Sequence, residues 1–545
     1  MPSSSATAET IWAPSCGGWK MDLAKRNLVI TGFMATGKTT VGRGVAARLG
    51  RPFVDMDALI AERAGCSIPE IFRRYGEVTF RQLERALCEE LAPREGLVIA
   101  TGGGALVDEA NRNMLARQGI LICLDCEIPT LLRRLRNVAD RPMLWGENPE
   151  QRLRALWAKR QAAYAAIPHH VDTTSLSVQE VVERIVSRYG TPPTVWQVKT
   201  PTGSYPVHLA AAGLDALGAL VYEAGIRTMA IVVSDKNVGP LYSARAVESL
   251  QRWGLAAQAI TLPAGEEHKT LATVASLYDR FAEMGLDRSG VVVALGGGVI
   301  TDMVGFAAAT YMRGVALVQV PTTLLGMVDA SVGGKVAVDH PRGKNLIGAF
   351  VQPLLVLLDP LLLDTLPEIE YRAGLAEVIK HGIIGDPDLF AALESSDPPD
   401  LGWVLRRQLQ VKIDVVEEDP YEKGRRVVLN LGHTFAHAFE VLSDYRLHHG
   451  LAVSIGLAAA AHLAELRGLC SSETRQRILT VLERHRLPTR YDAHPPEAVY
   501  AAMALDKKRQ GSRLRFILPR AIGEVVIDGD IPQSLVLEAL ERTCA

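Results

Sequence analysis

The chain has 545 residues, which at roughly 100–200 residues per domain suggests about three or four domains. Hydrophobic residues make up 48% and charged residues 22%, a soluble globular balance with ample material for buried cores. A formal net charge of -2 gives no electrostatic case for a nucleic-acid partner, and no apolar run of about 18 residues without charge reads as a membrane span. The seven cysteines are scattered, and their odd number fits a reducing, cytoplasmic setting. Cys123 and Cys126 have CxxC spacing but lie on an apolar run, so they read as core or strand-end thiols.

Residues 1–24, rich in Ser, Ala and Thr, read as a flexible tail. Asn27 to Thr31 is a short apolar run that leads through a glycine-rich loop into a helical stretch, Lys38 to Leu49. Gly32-Phe33-Met34-Ala35-Thr36-Gly37-Lys38-Thr39 is a complete P-loop in the strand–loop–helix context that gives the motif meaning. Backbone N–H groups there favour phosphate, Lys38 reaches the outer phosphates, and the Thr39 hydroxyl suits magnesium. Asp55 and Asp57 follow on an alternating run, which puts both carboxylates on one face. Arg81 can clamp a carboxylate, Gly102-Gly103-Gly104 lets a small ligand approach backbone, and Arg141 lies in a loop suited to a lid. Arg160 and Tyr164 share a helix face. Apolar runs at Leu97 to Ala100 and Gly119 to Leu124 read as buried parallel strands, so residues 25–188 read as an α/β sandwich.

Together, Asp-x-Asp, Gly76-Glu77 with Phe80-Arg81, the triple glycine and Arg141-Pro142 resemble the shikimate kinase family. The resemblance implies a parallel sheet with helices on both faces. It implies ATP on Gly32, Ala35, Gly37, Lys38, Thr39 and Thr40, with Mg²⁺ on Thr39 and Asp55. It makes Asp57 the base, places Arg81, Arg160 and Gly102–Gly104 around shikimate, and makes Arg141 the lid arginine, with Lys38 and Arg141 acting on the transferring phosphate. Gln161-Ala162-Ala163 after Arg160 departs from the family's usual pattern.

Tyr189-Gly190-Thr191-Pro192-Pro193-Thr194 reads as a linker over residues 189–194. Strand-like runs at Met229 to Ser234, Ala259 to Leu262, Gly290 to Leu295 and Leu317 to Val320 make residues 195–359 a second α/β domain. Helical patterns dominate residues 360–545. In that lobe His433 and His437 stand four apart, a spacing suited to shared zinc, and Glu377 and the His448-His449 pair are further ligand candidates.

Gly296-Gly297-Gly298-Val299 after a strand can cradle a pyrophosphate. With Asp235, Asn237, Glu266, Lys269, Thr322 and Thr323, the Asp329 to Lys335 segment, and Lys344-Asn345, the region from Val195 to Ile527 resembles the 3-dehydroquinate synthase family. The resemblance implies an NAD-binding α/β domain and an α-helical domain. It makes Glu377, His433 and His449 the ligands of zinc, with cobalt as the alternative, and puts His437 beside the substrate phosphate. NAD contacts fall on Asp235, Asn237, Glu266, Lys269, Gly297, Gly298, Val299, Asp302, Thr322 and Thr323. Substrate contacts fall on Arg313, Asp329, Lys335, Lys344, Asn345, Lys380, Arg426, Asn430, His437, Lys507 and Lys508. Lys335, Lys380, Arg426, Asn430 and His437 are the catalytic candidates among them. Thr301, where the family has glycine, is expected to disturb the turn under NAD.

The implied whole is a bifunctional enzyme. It would phosphorylate shikimate with ATP and convert a heptulosonate phosphate to 3-dehydroquinate and phosphate, as a homodimer through the synthase half. The alternatives are a related sugar-phosphate cyclase behind another small-molecule kinase, or one half acting as a nucleotide sensor. The short linker suggests two halves that would work independently if cut near Pro192-Pro193.

Overall fold

The computed structural model describes residues 22–135, 142–144, 148–396, 399–509 and 514–544. Arg141 and the side chains of Lys507 and Lys508 lie outside the described residues. The chain divides into two compact units. One comprises Met1–Pro193, Leu214–Thr228 and Arg245–Ala257; the other comprises Thr194–Gly213, Met229–Ala244 and Gln258–Ala545.

The first unit is built on five strands: β1 (Asn27–Gly32), β2 (Phe53–Asp55), β3 (Val98–Ala100), β4 (Gly119–Asp125) and β5 (His169–Asp172). All pair in parallel in the order β2-β3-β1-β4-β5, with Leu28 opposite Val98 on one side and Ile120 on the other. Every residue of β1 is buried, as a central strand covered on both faces requires. The strand order reverses at β1, so a crevice opens beyond its C-terminal end, where the P-loop begins. Helix starts follow local chemistry: Asp55 caps Met56–Ala64 by accepting from Ala58 N–H, and Ser177 with Glu180 forms a capping box on Val178–Tyr189. Val29, Phe33, Met56, Ile99 and Leu121 pack into its core.

The second unit carries a seven-stranded sheet of β6 (Thr194–Thr200), β7 (Gly203–Leu209), β8 (Met229–Asp235), β9 (Ala256–Leu262), β10 (Val291–Gly296), β11 (Ala316–Pro321) and β14 (Leu355–Leu358). Their order is β6-β7-β14-β11-β10-β8-β9; β6 and β7 form an antiparallel hairpin, and β7, β14, β11, β10 and β8 run parallel. An antiparallel ribbon, β12 (Lys335–His340) and β13 (Gly343–Phe350), carries the lysine-rich motifs. Helices dominate from Glu368 onward, but a further hairpin, β15 (Phe516–Ala521) with β16 (Glu524–Asp528), interrupts them. The lobe is mostly helical, as expected, and the hairpin within it carried no separate signal, because a short apolar run has no period that separates strand from helix. Among the described residues, one helix is long and apolar enough to cross a membrane; it is His449–Leu466, and 78% of it is buried inside the fold.

Candidate active sites

In the first unit, the P-loop turns through positive φ at Gly32 (140°), Ala35 (63°) and Gly37 (94°), two of the three being glycine. A Cβ on Gly32 would lie 2.5 Å from the Leu124 carbonyl oxygen, so only glycine fits this approach to β4. Gly37 starts the helix Lys38–Leu49 without a side-chain cap, leaving its first N–H groups for an anion. Thr40 is exposed in that first turn. Lys38 Nζ donates to the Phe33 carbonyl at 2.9 Å. Thr39 Oγ1 donates to Asp55 Oδ2 at 2.6 Å, which brings the two magnesium candidates together.

The acceptor side gathers around the triple glycine. A Cβ on Gly102 would meet Asp57 Oδ1 at 2.5 Å and Glu84 Oε1 at 2.6 Å, and one on Gly104 would meet Arg81 Nη1 at 2.2 Å. Arg81 bonds to Glu84 and, at 3.0 Å, to Glu77. Arg160 is buried and donates to the Gly103 carbonyl at 2.9 Å, and the Tyr164 hydroxyl donates to the same oxygen. Burial pushes the Glu84 carboxyl up to about 7 against the pull of Arg81, and the Asp57 charge adds to the rise. The structure therefore places Asp57, Arg81, Arg160 and Gly102–Gly104 around one pocket. Cys123, Asp125 and His170 also cluster, but the imidazole is already committed to Asp125 at 2.8 Å and to the Ile167 carbonyl at 2.9 Å. Cys123 and Cys126 are buried.

In the second unit, three helices bring together Glu377, His433 and His449, whose ligand atoms all lie within 4.8 Å of one another. Glu377 Oε1 is 3.7 Å from Nε2 of each histidine. The helix starting at His433 follows Gly432, whose φ of 78° disfavours a side chain and where an added Cβ would lie 2.9 Å from Leu457 N. His433 Nδ1 faces the Leu431 carbonyl at 3.2 Å, and His449 Nδ1 faces Glu440 Oε1 at 3.4 Å. Both contacts turn Nε2 toward the centre, the outer arrangement that metal-binding histidines use. Burial, with the Lys380 ammonium adding, holds His433 well below its ordinary value, in the neutral form that a metal needs. Glu377 is fully buried and its Oε1 has no hydrogen-bond partner, which fits a divalent cation. Lys380 reaches the other carboxylate oxygen. His437 is exposed on the same helix, its ring 5.7 Å from that of His433, and is not one of the three converging ligand candidates.

The NAD candidates follow the C-terminal ends of β8, β9, β10 and β11. Asp235 Oδ1 accepts from Asn237 and Val238 N–H at 2.8 and 2.9 Å, fixing the turn after β8. Gly297 and Gly298 open the helix Gly298–Thr310, whose first turn also holds Val299. A Cβ on Gly297 would lie 3.0 Å from Thr323 Cγ2, and Thr322 N–H donates to the Gly296 carbonyl at 2.9 Å. Thr301 sits fully buried inside that helix, its Oγ1 donating to the Gly298 carbonyl at 3.0 Å. It lies inside the helix, past the turn at Gly297 and Gly298. Lys269 Nζ bonds Asp302 Oδ2 at 2.7 Å and also Asn345, and lies 4.0 Å from Glu266.

On the substrate side, Lys344 is 3.5 Å from Glu440, Lys335 bonds Glu422, and Asn430 Nδ2 donates to Glu422 Oε1 at 3.0 Å. Arg426 is buried and donates to the carbonyls of Gly333 and Pro420 at 3.0 and 2.7 Å. Arg313 is exposed at a turn and makes no ion pair among the described residues. Lys412 and Glu422 are partners that sequence reasoning missed; Lys412, on Leu401–Glu418, is buried against Asp329. Burial alone would raise the Asp329 carboxyl, but Lys412 and Lys380 outweigh it and hold it well below the usual range.

Comparisons with known proteins follow this division. A family model described as shikimate kinase matches residues 34–189; those described as 3-dehydroquinate synthase N-terminal and C-terminal match 259–373 and 374–509. The chain is 46% identical over 357 residues to a 3-dehydroquinate synthase of Synechococcus sp., covering 63% of this chain and 97% of that one. It is 44% identical to that of Desulforamulus reducens, covering 64% and 99%. Among solved structures, it resembles 2-epi-5-epi-valiolone synthase from Streptomyces hygroscopicus subsp. jinggangensis with NAD+ and Zn2+ bound. That likeness has 31% identity and a TM-score of 0.59, and covers 64% of this chain and 99% of that one. With its P-loop pocket in one unit and its Glu–His–His centre in the other, the chain belongs to the 3-dehydroquinate synthase family and carries a shikimate kinase domain ahead of it, two enzymes of one pathway in a single polypeptide.

Proposed function

We propose that each unit carries out its reaction with the residues gathered above. In the kinase, the P-loop N–H groups and Lys38 bind the ATP phosphates, and Thr39 with Asp55 holds Mg²⁺. Asp57 takes the proton from the shikimate hydroxyl as it attacks the γ-phosphoryl group, and ADP leaves. Arg81 and Arg160 hold the shikimate carboxylate, and Arg141 neutralises charge on the transferring group.

The synthase converts 3-deoxy-D-arabino-heptulosonate 7-phosphate to 3-dehydroquinate and phosphate. Glu377, His433 and His449 would hold zinc, or cobalt in its place, and the ends of β8, β10 and β11 would hold NAD. When bound, the metal polarises substrate hydroxyls and NAD takes up and returns a hydride. The chain's own groups fix the anionic ends of the substrate: Arg426 and Lys335 sit beside Asn430, and Lys344, Lys380 and His437 surround the metal centre. Lys507 and Lys508 belong to the same proposed set. Asp329, kept ionised by Lys412, supplies an acceptor for a substrate hydroxyl.

The observation that carries this reading is the buried Glu377 oxygen left without a partner between two histidine Nε2 atoms. The neighbour crystallised with NAD+ and Zn2+ supports the same cofactors here, and identity of 46% over nearly the whole of a curated synthase favours dehydroquinate over other cyclase products. We also take the assembly to be a homodimer through the synthase half, acting on small molecules in the cytoplasm. Separate assays of the purified chain, shikimate with ATP and the heptulosonate phosphate with NAD, test the pair of activities. Metal analysis should find about one zinc per chain, and a metal-free chain that still cyclises would sink the centre proposed.

A further inference from the structure

The first compact unit does not end at the linker. It takes in Leu214–Thr228 and Arg245–Ala257, which follow Pro192 and Pro193 in the chain. A buried charge cluster lies within it. His169 on β5 places Nε2 2.8 Å from Asp215 Oδ2, and Arg245 Nη2 lies 2.9 Å from Asp215 Oδ1. The side chains of His169 and Asp215 are 4% and 6% exposed. Tyr189, at the end of Val178–Tyr189, packs its ring on His169 with centroids 5.3 Å apart. Burial alone would raise the Asp215 carboxyl; His169 and Arg245 outweigh it, Arg26 adds, and the group is held well below the usual carboxylate range.

The two later segments are also locked to each other. Ser249 Oγ accepts from Gly218 N–H at 3.0 Å and donates to the Asp215 carbonyl at 2.8 Å. A Cβ on Gly218 would lie 2.0 Å from the Ser249 carbonyl oxygen, so the segments touch backbone to backbone. A carboxylate this deeply buried is tolerated only while the groups hydrogen-bonded to it remain, and removing one partner leaves the others buried without it.

We infer that His169, Asp215 and Arg245 form a clamp that makes two segments beyond the linker an integral part of the kinase-fold unit. His169 lies inside the stretch matched by the shikimate kinase family and Asp215 outside it, so the kinase depends on residues its own family sequence does not contain. This runs against the expectation that the halves part cleanly at Pro192-Pro193.

On the full chain, Asp215→Ala and His169→Ala should each speed thermal loss of shikimate-phosphorylating activity by about tenfold or more. The double variant should exceed the worse single by no more than about twofold, because the groups act as one cluster. Hydrogen exchange on the unmodified chain decides the matter where the alanine variants do not fold. ADP, Mg²⁺ and shikimate should slow exchange in β5 and in Leu217–Glu223 together, as parts of one cooperative unit. Inactivation of Asp215→Ala within about twofold of the parent, additive single effects, or protection that stops at the linker would each overturn the inference.

Discussion

In the kinase-fold unit, Lys38 and Arg160 rest on neutral backbone carbonyls, those of Phe33 and Gly103, whereas in the second unit Lys269, Lys335, Lys344 and Lys412 each rest on a carboxylate. Arg81, paired with Glu77 and Glu84, is the kinase cation that follows the second pattern. The bond that Lys38 makes to the Phe33 carbonyl is to a neutral acceptor, which phosphate can replace without breaking an ion pair at that contact. A lysine on a carboxylate is held in place, and its charge is compensated, before the substrate binds. The second unit crowds at least five lysines and an arginine near one centre, and such crowding is sustainable only if acidic partners offset the repulsion.

The largest effects should come from the groups proposed to hold the metal and the ATP phosphates. His433→Ala or Glu377→Gln should remove bound zinc and lower cyclisation by about 10³-fold or more, with kinase turnover unchanged. His437→Ala should keep most of its zinc, as metal analysis would show; equal loss in His433→Ala and His437→Ala would restore the simple i, i+4 pair. Lys38→Ala should lower shikimate phosphorylation by about 10³-fold and leave cyclisation untouched. Retained kinase turnover in that variant would contradict the P-loop assignment.

Smaller changes probe the supporting groups. Glu440→Gln weakens the contact that orients His449, so zinc affinity measured by competition with a chelator should fall about 10–100-fold. Glu84 tests the kinase side through pH. Its carboxyl rises from an ordinary 4.5 to about 7 in the folded protein, so between those values the folded state binds more protons than the unfolded one. Stability therefore falls as pH rises through this window and levels off above about 7. Thermal melts of Glu84→Gln across pH 5 to 7 should show a shallower decline than the parent; an unchanged slope would mean that another group carries it.

The P-loop was legible because it is contiguous: turn glycines, lysine and hydroxyl occupy eight successive positions between a buried strand and a helix. Buried parallel strands such as β4 and β10 were legible as apolar runs for the same reason. β5 was not, because His169–Asp172 is only four residues long and Val171 is its single apolar residue, too little for a periodic signal. The β12–β13 ribbon was likewise hidden under its charged motif residues. At the proposed metal centre, helical spacing alone pairs His433 with His437, yet the third ligand candidate lies on a different helix, and only tertiary packing brings His449 to Glu377. Lys412 gave no signal at all, since a lysine on a long amphipathic helix is ordinarily solvent-facing and its burial depends on Asp329 across the fold.

Thr301 is the smallest test and the one that separates the sequence pattern from its geometry. A threonine where relatives carry glycine, one residue before Asp302, reads as an obstacle under the cofactor. In the fold, the turn proposed to meet NAD is completed at Gly297 and Gly298, and Thr301 already donates its backbone N–H to the Gly297 carbonyl at 3.0 Å. Its hydroxyl returns to the Gly298 carbonyl, and its own carbonyl accepts from Gln319 Nε2 at 3.1 Å. The side chain therefore packs into the helix rather than into the nucleotide path. Thr301→Gly should leave the Michaelis constant for NAD within about twofold, under roughly 0.5 kcal/mol. It should cost stability instead, by about 1 kcal/mol or more, because glycine loosens the helix and a buried methyl is lost. A several-fold gain in NAD affinity without loss of melting temperature would show that the threonine does obstruct the cofactor.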